Sequence, residues 1–176
     1  MISEKLQEAL NEQINKELFS EYLYLQMQSW FASENLDGFV NFFTVQTQEE
    51  RFHGMKFYQY LIERGGKVLL KPLEGPTNDF KNAEEIFSYS LNHEKFVTQR
   101  IHHLMDLAIT EKDHSLVSFL KWFIDEQVEE ESTFEKALAK IKLVGNNGMG
   151  LLMLDQEMAK RVFSAPAANR ADATAA

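Results

Sequence analysis

Acidic side chains at core-facing positions of four predicted helices are the residues of this chain best suited to chemistry. A carboxylate on an apolar helix stripe is costly unless it is paired, hydrogen-bonded or bound to a metal ion. The residues concerned are Glu17, Glu50 with His53, Glu94, and Gln127 with Glu130. Because several such groups recur at one level of successive helices, the pattern predicts a metal site.

The donor set of this predicted site is rich in oxygen and contains one imidazole. Glu50 and His53 lie three residues apart, so both can reach one ion from the same helix face. With Glu17, Glu94 and Glu130, four carboxylates balance the charge of two divalent cations. On the fourth helix, the neutral amide of Gln127 takes the place of a second imidazole. This substitution should weaken metal binding at one position, as suits a site that releases its product. Hard ligands of this kind favour iron or manganese over structural zinc.

The composition favours a single all-helical domain that binds cations. The chain has 176 residues, is 44% hydrophobic and 12% aromatic, and contains only three prolines. Its net charge of −9 disfavours nucleic acid and anionic membranes as partners. It contains no cysteine, which excludes disulfides and thiolate metal sites. No apolar stretch approaches transmembrane length, so we expect a cytoplasmic protein.

Hydrophobic periodicity predicts four long helices and a short fifth helix. The first helix is expected from Ser3 to about Ser33, and the second from just after Gly38 to about Arg64. The other three are expected from about Asn82 to Thr110, from about His114 to Leu143, and from Leu151 to about Phe163. Residues 67–81 contain two prolines and no periodic pattern, which predicts a long connection between the second and third helices. Residues 1–163 are therefore expected to form one domain, and the alanine-rich residues 164–176 a disordered tail.

Residue numbering alone brings the polar side chains to one height. If the first two helices fold about position 35, Glu17 and His53 face each other, since each lies 18 residues away. Folding the next two about position 112 likewise brings Glu94 opposite Glu130. The long connection can span about 50 Å when extended, and a helix of roughly 28 residues is ~42 Å long. The connection can therefore cross the bundle and bring both hairpins together.

Each of these features taken alone has a plainer interpretation. A glutamate three residues before a histidine is common by chance, and Glu17 or Glu94 could lie at a solvated stripe edge. Tyr24 could be a core aromatic or could act in redox chemistry beside the site. The remaining histidines are expected on the surface: His93, His102, His103 and His114. A purely structural bundle, whose interior acids bind one another, also stays open.

Four segments carry the polar residues with their neighbours: NEQINKELFSEYLY, QEERFHGMKFYQYL, NHEKFV and FLKWFIDEQVEEE. They resemble the ferroxidase-centre segments of prokaryotic non-haem ferritins, and the resemblance extends over residues 1 to about 160. It implies a ferritin-like four-helix bundle with one long crossover and a short fifth helix. It also implies a homo-oligomer, a cage of 24 subunits.

The resemblance further implies a role for each polar residue. The first iron ion would be held by Glu17, Glu50 and His53, with Glu50 bridging to a second ion at Glu94 and Glu130, beside Gln127. A third, weaker position would take Glu49, Glu126, Glu129 and Glu130. Tyr24 matches the tyrosine beside the centre. Haem is not expected, because Arg51 and Phe52 stand where bacterioferritins carry a haem-binding methionine.

The function implied by the resemblance is iron storage with ferroxidase activity. Fe(II) would be oxidised by dioxygen or hydrogen peroxide, and the ferric product would be deposited as an oxide mineral in the cage. An iron-binding storage or delivery protein without fast catalysis is the alternative.

Overall fold

Five α-helices make up most of the computed structural model, which describes residues 2–145 and 147–164. They are α1 (Glu4–Ser33), α2 (Asp37–Glu63), α3 (Ala83–Thr110), α4 (His114–Val144) and α5 (Gly148–Met158). The predicted all-α fold is confirmed, and the four long helices lie close to their predicted ranges. Across the described residues, no helix combines the length and apolar character needed to cross a membrane. Apart from Ser164, the predicted tail lies outside the described residues.

Side-chain caps explain where the long helices begin. The oxygens of Ser3, Asn82 and Asp113 each accept a hydrogen bond from the backbone N–H three residues further on. No such cap exists at Leu36, which precedes α2. Instead, Oδ1 of Asp155 on α5 accepts from the backbone N–H of Phe39 at 3.0 Å. The fifth helix therefore completes the start of the second.

The fifth helix begins and ends earlier than the sequence predicts. It begins at Gly148 because the Asn147 side chain accepts from the backbone N–H of Gly150 at 3.1 Å. It ends at Met158, where α2 binds the following backbone. Asn41 Nδ2 donates to the carbonyl oxygens of Met158 at 3.2 Å and Arg161 at 2.9 Å. Apolar periodicity within one segment carries no information about this contact between distant segments.

The connection between α2 and α3 runs along α1. Asn11 and Asn15 lie one turn apart on α1 and use both amide atoms to bind this connection. Their four hydrogen bonds, of 2.6–2.9 Å, reach the backbones of Lys67, Leu69 and Lys71. Near the other end of α1, Trp30 Nε1 donates to the carbonyl oxygen of Phe80 at 3.0 Å. The connection therefore crosses the bundle, as predicted.

Neighbouring helices of the bundle run antiparallel. Helix α1 packs on α2, α3 packs on α4, and α1 also contacts α3. The side-chain pairs that fix direction are Gln13–Arg100 and Tyr24–Glu94 between α1 and α3, and Phe42–Phe134 and Phe57–Phe119 between α2 and α4. In both sets the numbering rises on one helix as it falls on the other.

Two apolar clusters fill the bundle core and leave a polar layer between them. One cluster includes Phe31, Phe43 and Phe87, and the other includes Leu10 and Phe57. Each long helix contributes to both clusters and has a gap between the two contributions. The gaps are residues 15–22 on α1, 44–56 on α2, 88–96 on α3 and 124–133 on α4. This layer at mid-height holds the predicted site residues.

Candidate metal centre

Six polar side chains from all four long helices lie buried in the layer between the two apolar clusters. They are Glu17, Glu50, His53, Glu94, Gln127 and Glu130, and none exposes more than 4% of its surface. Helix residues three or four apart share a face, so each helix presents its polar residues inward together. The structure thus brings to one height all six residues that the sequence placed there.

Three of these residues form a group on the α1–α2 side. Glu17, Glu50 and His53 each offer a ligand atom, and these atoms lie within 4.8 Å of one another. His53 Nδ1 is 3.8 Å from Glu50 Oε2. Glu17 Oε1 accepts from Gln13 Nε2 at 2.8 Å, but Glu17 Oε2 has no hydrogen-bond partner among the residues that the structure describes. A buried oxygen without a partner is costly, and a bound cation would satisfy it.

A second group shares the same imidazole. Ligand atoms of His53, Glu126 and Glu130 also lie within 4.8 Å of one another. His53 Nε2 is 3.7 Å from Glu126 Oε1. Glu130 Oε2 accepts from Gln46 Nε2 at 2.8 Å. The imidazole therefore lies between two carboxylate groups, with one nitrogen toward each.

Glu94 lies on the α3 side of the layer and is held by neutral donors. The Tyr24 hydroxyl donates to Glu94 Oε1. Gln127 Nε2 donates to Glu94 Oε2 at 3.2 Å, and also lies 3.3 Å from Thr98 Oγ1. The Tyr24 ring stacks on Phe134 with centroids 5.7 Å apart. Both oxygens of Glu94 therefore have donors, unlike those of Glu17.

Two glutamines donate hydrogen bonds to the carboxylates of the polar layer. Neither of them was assigned a role from the sequence. Gln13 lies one turn before Glu17, and Gln46 lies one turn before Glu50, to which it donates at 3.4 Å. Each glutamine is in turn held by an arginine. Arg100 Nε donates to Gln13 Oε1 at 3.0 Å, and Arg161 Nη1 donates to Gln46 Oε1 at 2.7 Å. The shared spacing of four residues was the available sequence signal.

The residues predicted for a third metal position are less enclosed. Glu49 and Glu126 are partly buried, with side chains 20% and 22% exposed. Glu129 is exposed, and neither of the two groups found among the described residues includes it. Glu49 Oε2 lies 2.5 Å from Nη2 of Arg161. The structure therefore brings Glu126 toward His53 and pairs Glu49 with an arginine.

Burial makes the carboxylates of the polar layer hard to ionise without a cation. It raises the pKa of Glu94 to about 8, and the nearby Glu130 carboxylate adds to the rise. Burial, followed by Glu94, raises the pKa of Glu50 well above its usual value. Burial likewise raises the pKa values of Glu17 and Glu130. Buried carboxylates of this kind favour a divalent cation. The cation takes the place of the water lost on burial and offsets the repulsion between the negative charges.

The same surroundings favour the charged form of His53, whereas they oppose the charged forms of the carboxylates. Burial opposes its charged form, but the nearby carboxylates of Glu126 and Glu50 raise the pKa of the imidazole well above its usual value. The surrounding carboxylates therefore favour the protonated imidazole over the neutral one. A metal ion would have to displace that proton, since only the neutral ring nitrogen ligates metals.

Tyr24 and His93 form an aromatic contact next to the carboxylates. Burial, and then Glu94, raises the pKa of Tyr24 well above its usual value, so the phenol stays protonated. His93 lies edge-on to the Tyr24 ring at 6.0 Å, and its Nε2 is 2.8 Å from Ser20 Oγ. Burial, followed by Lys16, lowers the pKa of His93 to about 4. His93 is therefore only partly exposed, rather than a free surface residue, because Ser20 and Tyr24 of α1 lie against it.

A family model described as the ferritin-like domain matches residues 7–144 of this chain. The chain is 43% identical, over 164 residues, to a bacterial non-heme ferritin of Staphylococcus epidermidis, covering 93% of this chain and 99% of the relative. It is 40% identical to the bacterial non-heme ferritin of Staphylococcus aureus over 163 residues, which is 93% of this chain and 98% of that protein.

Solved structures similar to this one carry the same family name. A humanized archaeal ferritin superposes with a TM-score of 0.93 at 43% identity, over 94% of this chain and 100% of that chain. An open-pore ferritin from the hyperthermophilic archaeon Archaeoglobus fulgidus gives a TM-score of 0.91 at 44% identity, over 92% and 99% of the two chains.

Proposed function

Because this chain belongs to the ferritin-like domain family, we propose that it stores iron and oxidises Fe(II) at the buried carboxylate centre. The observation that carries the proposal is the convergence of four carboxylates and one imidazole from four helices inside an apolar core. Hydrogen bonds from neutral side chains satisfy only part of this set, and one buried Glu17 oxygen has no partner among the described residues. Two divalent cations would neutralise the four carboxylates.

The ligand assignment follows the two sides of the polar layer. In our proposal, Glu17, Glu50 and His53 bind the first Fe(II) ion, and Glu50 bridges to the second. Glu94 and Glu130 bind the second ion, while Gln127 holds Glu94 in position by its hydrogen bond. The donor set suits iron because the ligands are hard oxygens with one imidazole. No haem is proposed.

The proposed reaction moves two electrons from a pair of Fe(II) ions to an oxygen acceptor. Reduction of dioxygen with two protons yields hydrogen peroxide, and reduction of hydrogen peroxide with two protons yields two water molecules. Oxidation raises the positive charge by two units, which four carboxylates no longer balance. The ferric ions then leave toward a third position formed by the less enclosed acids: Glu49, Glu126, Glu129 and Glu130.

Storage of the product requires many copies of the chain, and we propose a homo-oligomeric cage of 24 subunits. Large apolar side chains exposed over 41 to 64% of their surface support association between copies. They are Tyr22, Leu25, Leu69, Leu70 and Leu73. Native mass spectrometry measures the copy number directly. The cytoplasmic location expected from the sequence stays a prediction.

The test of catalysis removes one predicted ligand at a time from α2. We expect Glu50→Ala and His53→Ala each to abolish the fast di-ferric absorbance after anaerobic Fe(II) loading and mixing with oxygen. The helical circular dichroism should remain, because the two apolar clusters are untouched. Glu63→Ala on α2 and His102→Ala on α3 are matched controls at exposed positions. A wild-type oxidation rate in either ligand variant refutes the assignment.

A storage or delivery protein without fast catalysis is the second candidate. The observation that favours it is that both Glu94 oxygens already accept hydrogen bonds, from Tyr24 and Gln127, so the second ion has to compete for this ligand. Anaerobic binding of two Fe(II) ions per chain, followed by only slow absorbance on mixing with oxygen, would establish this candidate. A chain that binds no iron would instead be a structural bundle.

A further inference from the structure

We propose that Arg161 is a tethered cation that keeps the Glu49 carboxylate closed to metal ions until its side chain swings aside. Arg161 lies three residues beyond Met158, the last residue of α5, on backbone that is bound to α2. The inference rests on the proposed function, since it concerns the order in which the acids of that centre take up metal.

The guanidinium of Arg161 makes three contacts at the edge of the polar layer. Its Nη2 lies 2.5 Å from Glu49 Oε2, and its Nη1 donates to Gln46 Oε1 at 2.7 Å. The central carbon of the guanidinium lies over the Phe42 ring, 4.5 Å from its centroid. About four fifths of the Arg161 side chain is shielded from solvent, as is Glu49. These contacts hold a positive charge against the Glu49 carboxylate.

The position of this arginine coincides with a demand for positive charge. The Glu49 side chain is only 20% exposed and is adjacent in sequence to Glu50, so solvent offsets little of its negative charge. Glu126 and Glu130 also form a possible metal group with His53. A guanidinium stays charged at every physiological pH, so its occupancy does not depend on titration. A metal ion at Glu49 must therefore compete with a fixed positive charge.

The contact with Gln46 links this outer acid to the inner ligands. While Arg161 occupies Gln46 Oε1, the amide nitrogen of Gln46 must point the other way. That nitrogen donates to Glu130 Oε2 at 2.8 Å and lies 3.4 Å from Glu50 Oε1. The docked arginine thus orders two inner carboxylates and blocks Glu49 at the same time. The inner positions consequently fill first, and the outer position fills only when the arginine leaves.

The backbone of this segment is anchored independently of the arginine side chain. Asn41 Nδ2 donates to the carbonyl oxygens of Met158, Ala159 and Arg161 at 2.9–3.3 Å. A side-chain substitution at position 161 leaves these bonds in place. The guanidinium can therefore be removed without detaching the segment, which makes the proposal testable by substitution.

The test is an anaerobic calorimetric titration with Zn²⁺, an ion that cannot be oxidised. The binding event that Glu49→Gln abolishes in Arg161→Gln defines the outer position. We expect Arg161→Gln to tighten this event by on the order of ten-fold, the effect of removing a largely shielded like charge, and to leave the inner events within about two-fold. Lys160→Gln removes the same charge from the neighbouring exposed residue and should leave the outer event at its wild-type affinity.

A conservative variant separates charge from shape. Arg161→Lys keeps the positive charge, so its outer event should stay as weak as in the wild type. Hydrogen–deuterium exchange of residues 158–164 provides a second readout, and we expect faster exchange in the wild type once the outer ion binds.

The proposal is overturned if Arg161→Gln binds the outer ion no more tightly than the wild type, or if Arg161→Lys binds it as tightly as Arg161→Gln. It is equally overturned if no event depends on Glu49. Failure of the proposed function has a different signature, because the inner events would then be missing from the wild type or would survive Glu50→Ala.

Discussion

Neutral side chains, rather than arginines or lysines, donate directly to the inner carboxylates Glu17, Glu94 and Glu130. Gln13 donates to Glu17, and Gln46 donates to Glu130, while the arginines behind them stay one side chain further away. An amide fixes the direction of a carboxylate without neutralising it. The arrangement therefore orients the acids and keeps their negative charge available for a cation.

The Tyr24 hydroxyl is predicted to give one electron to dioxygen when three Fe(II) ions give the other three, so that four electrons and four protons yield two water molecules. Its proton would pass to Glu94. The phenol is buried and protonated, so oxidation requires an acceptor for its proton, and Glu94 Oε1 already accepts that hydrogen bond. We expect freeze-quenched samples of the wild type, mixed with Fe(II) and oxygen, to show a tyrosyl radical by electron paramagnetic resonance. The radical should be absent from Tyr24→Phe.

The same variant tests the structural alternative for Tyr24. Loss of one buried hydrogen bond to a carboxylate should lower the free energy of unfolding by about 1–3 kcal/mol. A Tyr24→Phe protein that is destabilised by this amount while a wild-type radical signal persists would assign the radical to another residue. Tyr24 would then be a core aromatic with a satisfied hydroxyl.

Two acids of the predicted third position are expected to differ in their contribution. Glu126 Oε1 lies 3.7 Å from His53 Nε2, whereas Glu129 is exposed. We therefore expect Glu126→Gln to slow repeated oxidation, measured with several Fe(II) ions added per chain, more than Glu129→Gln does. Neither variant should halt the first oxidation event. A larger effect of Glu129→Gln would favour the full ligand set implied by the family resemblance over the geometry of the single chain.

Sequence reasoning located the inner acids because their spacing on the helices is regular. Glu17, Glu50, Glu94 and Glu130 occupy core-facing positions, and helix periodicity alone places them inward. Arg161 could not be found in the same way. It follows the last helix, and its contacts depend on how the distant α2 holds that segment.

The docking of α5 on α2 depends on a close approach that only glycine permits. A Cβ atom at Gly38 would lie 1.6 Å from the carbonyl oxygen of Asp155. We expect Gly38→Ala to displace α5 and to remove the cap that Asp155 gives to α2. The expected loss is about 1–3 kcal/mol in the free energy of unfolding, measured by chemical denaturation.

A second glycine provides the control for this element. A Cβ at Gly148, the first residue of α5, would meet no atom within 4 Å. Gly148→Ala should therefore leave stability within about 0.5 kcal/mol of the wild type. Equal effects of the two substitutions would mean that the contact between α5 and α2 contributes little.

The helices were more predictable than the segments between them. Periodicity is a local signal, and it predicted ends of the four long helices close to those observed. The crossover path rests instead on Asn11 and Asn15, whose amides bind backbone more than 50 residues away. An asparagine on a helix carries no local sign of such a partner, so only the reach of the crossover could be predicted.

The polar layer divides the core of the bundle, so that binding of a metal ion there would also change the stability of the fold. The apolar clusters on either side hold the four helices together, while the buried acids between them oppose folding when ionised. A cation bound only by the folded chain stabilises it by mass action. Stability of the metal-free protein should therefore report on the same groups that we propose as iron ligands.

The free energy of unfolding of the metal-free protein is expected to fall as pH rises from about 5 to 8. The pKa of Glu94 is about 8 in the folded chain against an ordinary value of 4.5, so between these values the folded chain binds more protons than the unfolded chain. Each such group contributes a loss of up to about 1.4 kcal/mol per pH unit. The raised pKa values of Glu17, Glu50 and His53 act in the same direction.

Denaturation in chelator at pH 5, 6.5 and 8, at one protein concentration, measures this dependence. Glu94→Gln should flatten it and should be more stable than the wild type at pH 8, because an amide cannot ionise. Saturating Zn²⁺ should reverse the trend, since protons compete with the metal less as pH rises. Stability of the metal-free wild type that increases between pH 5 and 8 would mean that the buried acids ionise freely, and that the layer does not hold the uncompensated charge on which metal binding depends.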